Sequence, residues 1–201
     1  MTRHSDYQKL RSYFDNTFDI EAIMLSPGEY YVTNRDMALV TVLGSCVAAC
    51  IRDRTTGFGG MNHFMLPENT SEGGSPVATA VRYGAYVMEM TINQLLKNGA
   101  KRSNLEAKLF GGGDMSRGFA LANASERNIV FALQYLQKEN IRVVARSLRD
   151  IYPRKIYFFP ASGRVMLKKL RHANNDITIK RETEYGSRLK YADIQGGVEF
   201  F

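Results

Sequence analysis

From residue 22 onward the apolar residues arrive in short runs broken by turn formers, the pattern expected of strands. Runs at 22–25, 30–33 and 38–43 are separated by Ser26-Pro27-Gly28 and by Asn34-Arg35-Asp36. The pattern changes to a helix over 75–99, with Ser75 as cap, Pro76 in the first turn and Asn98-Gly99 at the close. Val77, Val81, Met88, Ile92 and Leu95 share one face of it, and Gly84 on that face leaves room for a neighbouring element. A second helix is predicted over 125–139, with Ile129, Ala132, Leu133 and Leu136 inward. Residues 105–110, 141–145, 155–159 and 164–170 read as strands, the last two forming a hairpin across Pro160-Ala161-Ser162-Gly163.

Strands grouped around two helices, without regular alternation, imply an α+β fold: a mixed or antiparallel sheet packed with outer helices rather than a doubly wound parallel sheet. Residues 1–21 are polar and mixed in charge and read as an N-terminal tail. Within it Tyr7, Leu10, Tyr13 and Phe14 have the spacing of a weak helical turn or two. The domain proper spans 22–170. A C-terminal extension, 171–201, follows, and its apolar end, Val198-Glu199-Phe200-Phe201, has the character of a docking segment.

A chain of 201 residues buries a core without help from disulfides or metals. Its two cysteines, Cys46 and Cys50, lie four apart and form no disulfide framework, so the chain reads as reduced and intracellular. The three histidines, His4, His63 and His172, are scattered, and no metal site and no cofactor is expected. The most apolar stretch, 37–51, is interrupted by Thr41, Gly44 and Ser45 and falls short of the roughly 20 residues that span a bilayer. Arg3, His4, Asp6 and Lys9 at the start do not suit a signal peptide, so the expected location is cytoplasmic. The net charge of +7 permits contact with any acidic surface. No nucleic-acid-binding motif accompanies it, and nucleic acid is not an expected partner. Arg154-Lys155 reads as solvated charge. Gly111-Gly112-Gly113-Asp114 lacks the spacing of phosphate loops and reads as a turn beside the active site.

The chemistry concentrates in Leu43-Gly44-Ser45-Cys46-Val47 and Gly59-Gly60-Met61-Asn62-His63-Phe64-Met65-Leu66-Pro67. If Asp53 pairs with Phe58 around a four-residue turn, His63 falls opposite Ala48 and shares a sheet face with Cys46, one diagonal step away. A bulge at Gly59-Gly60 would shift that register. An imidazole beside the thiol favours the nucleophilic thiolate. Backbone N–H groups near Cys46 suit an oxyanion. A third polar group should orient the imidazole, and Thr41 is the nearest candidate, with Ser45 a second hydroxyl close by. Cys50, on the same face, reads as core filling.

These two motifs, together with Arg82-Tyr83-Gly84, Ala107-Lys108-Leu109-Phe110-Gly111-Gly112 and Arg127-Asn128, resemble the CheD family of chemoreceptor glutamine deamidases. The resemblance runs from about Ile23 to Leu170. It implies a Cys46, His63, Thr41 triad in a fold similar to the catalytic domain of the cytotoxic necrotizing factor toxins. It implies attack of the Cys46 thiolate on a receptor glutamine, loss of ammonia, and hydrolysis of the thioester to glutamate; a methyl ester would open by the same route. The implied partners are methyl-accepting chemotaxis receptors and a CheC-type phosphatase, with the receptor glutamine bound in a shallow groove. Late basic residues such as Arg164, Lys168 and Lys169 would suit a Glu-rich receptor surface. Rival readings are a cysteine peptidase or acyltransferase built on the same dyad, and a non-catalytic adaptor that binds receptors or CheC.

Overall fold

Two short parallel pairings, each bordered by antiparallel hairpins, organise the chain into two mixed sheets. The computed structural model describes residues 10–66, 76–114 and 119–170, with Lys180, Glu182, Glu184 and Tyr185 of the extension; for 76–83 and 119–123 it describes the backbone alone. The expected cap at Ser75, the inward side chains of Val77 and Val81, and the apolar end 198–201 lie outside the described residues.

The first sheet contains β1 (Arg11–Asp15), β2 (Ile20–Met24), β4 (Ala38–Leu43), β9 (Arg154–Phe159) and β10 (Arg164–Lys169) in that order. The second contains β3 (Tyr30–Thr33), β6 (Gly59–Phe64), β5 (Val47–Asp53), β7 (Leu105–Gly111) and β8 (Arg142–Leu148). Pairing is parallel between β2 and β4 and between β7 and β8, and antiparallel elsewhere. The α+β architecture with mixed sheets therefore agrees with the strand and helix pattern. Residues 11–15 depart from it, because their helical spacing gives way to a strand paired with β2, so part of the expected tail belongs to the first sheet.

Helices α1 (Pro76–Lys97) and α2 (Phe119–Lys138) cover the outer face of the second sheet. Val47, Ala49, Ile51 and Leu109 on that face meet Met88, Ile92, Leu95, Ile129, Ala132 and Leu136 of the helices. Full burial of each large aliphatic side chain contributes roughly 1.5–3 kcal/mol. Gly84 lets the helices close up, since a Cβ there would stand 2.5 Å from Leu66 and 2.7 Å from Phe131. The other face of the second sheet, carrying Cys46, Ala48, Cys50, Met61 and Phe110, packs on Leu39, Leu43, Ile156 and Phe158 of the first.

The β5–β6 hairpin has the constant register expected of it, with Ala48 opposite His63 and no bulge at Gly59-Gly60. Asp53 closes its turn: one carboxylate oxygen accepts from the Thr55 amide and hydroxyl and the Thr56 amide, and the other accepts from the Lys101 amide. Burial works to raise the Asp53 carboxyl, but these hydrogen bonds outweigh it and hold the group well below the usual carboxylate range.

Arg154 corrects another expectation. Its guanidinium is buried and donates to the Ser147 and Arg149 carbonyls and to the Ser147 hydroxyl, fastening the 147–150 loop. Arg149 and Asp150 in that loop hold left-handed conformations, at φ of 67° and 89°.

Candidate active site

Chain crossing between the sheets builds the site. β4 ends in the first sheet and β5 begins in the second, so Gly44-Ser45-Cys46 bridges the seam with its amides turned inward. Thr41 comes from β4 on one side, His63 from β6 on the other, and Cys46 from the bridge. All three sequence-predicted residues thus converge.

Proton positions follow from the donors and acceptors. The Thr41 hydroxyl has one proton, and it lies 2.8 Å from the Leu25 carbonyl, which can only accept. The 2.7 Å contact between Thr41 Oγ1 and His63 Nδ1 is then a bond that His63 donates. The imidazole is therefore the Nδ1–H tautomer, and its Nε2 carries the lone pair. That Nε2 is buried and has no hydrogen-bond partner among the described residues. Cys46 Sγ, a ring nitrogen of His63 and a carboxylate oxygen of Glu182 all lie within 4.8 Å of one another.

Three peptide planes are locked by their carbonyls. In a trans peptide the carbonyl of one residue and the N–H of the next point in opposite directions. Gly113 N donates to the Gly44 carbonyl at 2.6 Å, which aims the Ser45 N–H into the site. Asn128 Nδ2 donates to the Ser45 carbonyl at 3.0 Å and so aims the Cys46 N–H. Asn128 is itself held by the Leu66 amide. Gly112 N takes the Cys46 carbonyl at 2.7 Å. The glycine run lies beside the site, as expected, but as the end of β7 and the irregular residues after it rather than as a turn, and its Gly112 and Gly113 amides fix the Cys46 and Gly44 carbonyls.

Sequence reasoning missed Glu182. Its carboxylate fills this nest of amides: Oε1 accepts from Gly44 N at 2.8 Å and Cys46 N at 3.2 Å, and Oε2 from Ser45 N at 2.8 Å and Ser45 Oγ at 2.5 Å. Nothing in a mixed-charge extension marks this one acid out; only the depth of its contact does. Cys46 and Thr41 are fully buried, His63 is 2 % exposed and Glu182 4 %. Where a shallow groove was expected for a substrate glutamine, the site is buried and its bridge amides are occupied by Glu182 of the extension.

Closure also changes the electrostatics. Burial, then the charge of Glu182, then the hydrogen bond to it push the Cys46 thiol well above its ordinary value. Burial pulls His63 down to about 4, against an opposing pull from Glu182 and the Leu25 carbonyl. In this closed state the pair is a neutral thiol beside a neutral imidazole, not the ion pair expected from proximity alone. Cysteine sulfur, imidazole nitrogen and carboxylate oxygen are donor types that zinc accepts, so these three could hold a metal, although both Glu182 oxygens already accept from the bridge.

A stability consequence follows from His63. Its folded pKa lies below the ordinary 6.5, so the folded state binds fewer protons than the unfolded chain between those two values. Stability is complete above pH 6.5 and falls as pH drops toward 4. Loss from Asp53 begins only near and below its ordinary pKa of 3.8. Urea midpoints measured from pH 7 to 4.5 should fall in the wild type and stay flatter in His63→Gln; parallel curves would rule this out.

Among the described residues, no helix is long and apolar enough to cross a membrane. A family model described as CheD chemotactic sensory transduction matches residues 65–169. A protein of Methylobacillus flagellatus named probable chemoreceptor glutamine deamidase CheD is 58 % identical over 190 residues, covering 94 % of each chain. One of the same name from Thiobacillus denitrificans is 57 % identical over 189 residues, again covering 94 % of each. Such coverage runs well into the C-terminal extension. Among solved structures, the Bacillus licheniformis hypothetical protein YfiH is matched with a TM-score of 0.40 and 13 % identity over 61 % of this chain and 51 % of that one. With relatives more than half identical over nearly their whole length, this chain belongs to the CheD family.

Proposed function

We propose that this chain is a protein-glutamine glutaminase that converts glutamine side chains of methyl-accepting chemotaxis receptors to glutamate. Cys46 is the nucleophile, His63 the base and then the acid, and Thr41 the residue that orients the imidazole. The relatives' names support the substrate class. The observation that best supports the mechanism is the Thr41 bond to Nδ1, because it leaves Nε2 with a free lone pair in a ring that lies beside the thiol.

Once Glu182 withdraws, a glutamine carboxamide fits the same place, with its oxygen among the Gly44, Ser45 and Cys46 amides. His63 takes the thiol proton, the sulfur bonds to the carboxamide carbon, and the C–N bond breaks as His63 returns that proton to the departing ammonia. Water then adds to the thioester with His63 again as base, and glutamate and the free thiol result. A glutamate methyl ester opens by the same path with methanol as leaving group, so methylesterase activity belongs to this reading. The route needs no metal or organic cofactor.

Such an enzyme works in the cytoplasm, where thiols stay reduced. The family motifs further imply an architectural likeness to the cytotoxic necrotizing factor catalytic domain and a CheC-type phosphatase as a second partner. Incubating the purified chain with the cytoplasmic fragment of a chemoreceptor and mapping peptide masses tests the core of the proposal. Conversion of particular glutamines with release of ammonia is expected. A folded chain that converts none, in wild type and in Glu182→Ala alike, would leave an adaptor role instead.

A further inference from the structure

Among the described residues of the extension, the deepest contact is a carboxylate lodged where the deamidation product would lie. Hydrolysis of a receptor glutamine leaves a glutamate side chain whose two oxygens face the oxyanion amides beside the thiol. Glu182 has the same side chain in the same setting, with four donors on its two oxygens and Cys46 against it. Tyr185, close behind it in sequence, packs on the apolar layer between the sheets and gives the segment a second anchor.

We propose that the Gly44, Ser45 and Cys46 amides form a carboxylate site whose resident ligand is Glu182, a built-in mimic of the glutamate product that must leave before a substrate glutamine enters. This rests on the deamidase reading for its meaning, although the plug itself does not.

The donor pattern explains why a glutamate holds the site better than a glutamine. Every group facing the two oxygens donates or can donate, so a carboxylate satisfies all of them. A carboxamide presents an NH2 to at least one amide N–H and leaves both donors unpaired there. The site therefore releases its substrate form more readily than its product form, and an internal acid is the better stopper. The described residues of the plug, Lys180, Glu182, Glu184 and Tyr185, are helical. A side chain carried on helical backbone thus reaches Cys46, and the same entrance suits a receptor glutamine presented on an intact helix.

Full-length wild type, Glu182→Ala and Glu182→Gln test this with two readouts. The first is the rate of Cys46 alkylation by iodoacetamide, with buried Cys50 as internal reference. Removing the charge-assisted bonds of the plug should speed Cys46 alkylation by roughly tenfold or more in Glu182→Ala. The second is the mass at position 182. In Glu182→Gln the plug becomes a substrate: the thiol attacks the carboxamide, ammonia leaves, water opens the thioester, and glutamate is regenerated. The introduced glutamine should be recovered as glutamate, and should persist when Glu182→Gln is combined with Cys46→Ala. Glu182→Gln keeps the size of the side chain and serves if Glu182→Ala does not fold. Unchanged alkylation with the introduced glutamine intact, in a chain that deamidates receptor, overturns the plug and spares the enzyme. Faster alkylation with no glutamine converted anywhere upholds the plug and removes the deamidase.

Discussion

Cys46→Ala is expected to abolish receptor deamidation, with kcat falling by on the order of 10⁴-fold or more, since a triad without its nucleophile retains only binding and oxyanion stabilisation. The measurement is the initial rate of ammonia release from a receptor fragment, made in wild-type and Glu182→Ala backgrounds so that closure of the site does not mask the difference. The fold should survive, because Cys46 is fully buried and alanine removes only one sulfur from a layer shared with Leu43, Ala48 and Phe110. Thr41→Val makes a graded comparison. It keeps the shape of the side chain but removes the hydroxyl that accepts from Nδ1–H of His63 and is itself held by the Leu25 carbonyl, so the imidazole is less firmly fixed in its tautomer and orientation. A fall of roughly 10- to 100-fold is expected, smaller than for the nucleophile because a fraction of the rings still adopts the useful form. Equal rates for wild type and Cys46→Ala would mean that the catalysis lies elsewhere.

The hairpin that brings His63 to Cys46 was legible because its register depends only on a turn and a count of residues. Thr41 was legible for a similar reason: β4 runs directly into the bridge that carries Cys46, so a side chain a few residues earlier lies close by. Arg154 was not. An arginine in a charged dipeptide gives no sign that the carbonyls of a left-handed loop lie beside it, and those contacts depend on the 147–150 backbone rather than on composition. Asn128 stood out only within the Arg127-Asn128 motif, and its role did not, because its amide spans from Leu66 to the Ser45 carbonyl across 62 and 83 residues of sequence. Glu182 was the least legible of all, at a separation of 136 to 138 residues from the amides it binds. Helix α2 begins at Phe119, earlier than the 125 expected from its apolar face.

Gly111→Ala should be the most damaging change of a single methyl. Gly111 has a φ of 111°, which alone costs an alanine about 1–2 kcal/mol. Steric contact costs more: a Cβ would stand 2.1 Å from the Cys46 carbonyl oxygen and 3.1 Å from Val47 Cα, both backbone atoms with no rotamer to change. Relief requires β7 to move away from β5 at the Val47–Gly111 pair, which also pulls Gly112 off the Cys46 carbonyl. The bridge then loses the support that aims its amides. Gly99→Ala separates the two causes, since Gly99 has a φ of 96° with nothing within 4 Å of the added methyl. It should cost only the conformational strain, about 1–2 kcal/mol, and leave deamidation intact. Gly111→Ala should cost about 4 kcal/mol or more in urea unfolding and lose most of its activity even where it folds, as expected when an overpacked contact adds to backbone strain. Similar midpoints for the two variants would show that the backbone at Cys46 yields freely, and that the oxyanion site is not held by the glycine run.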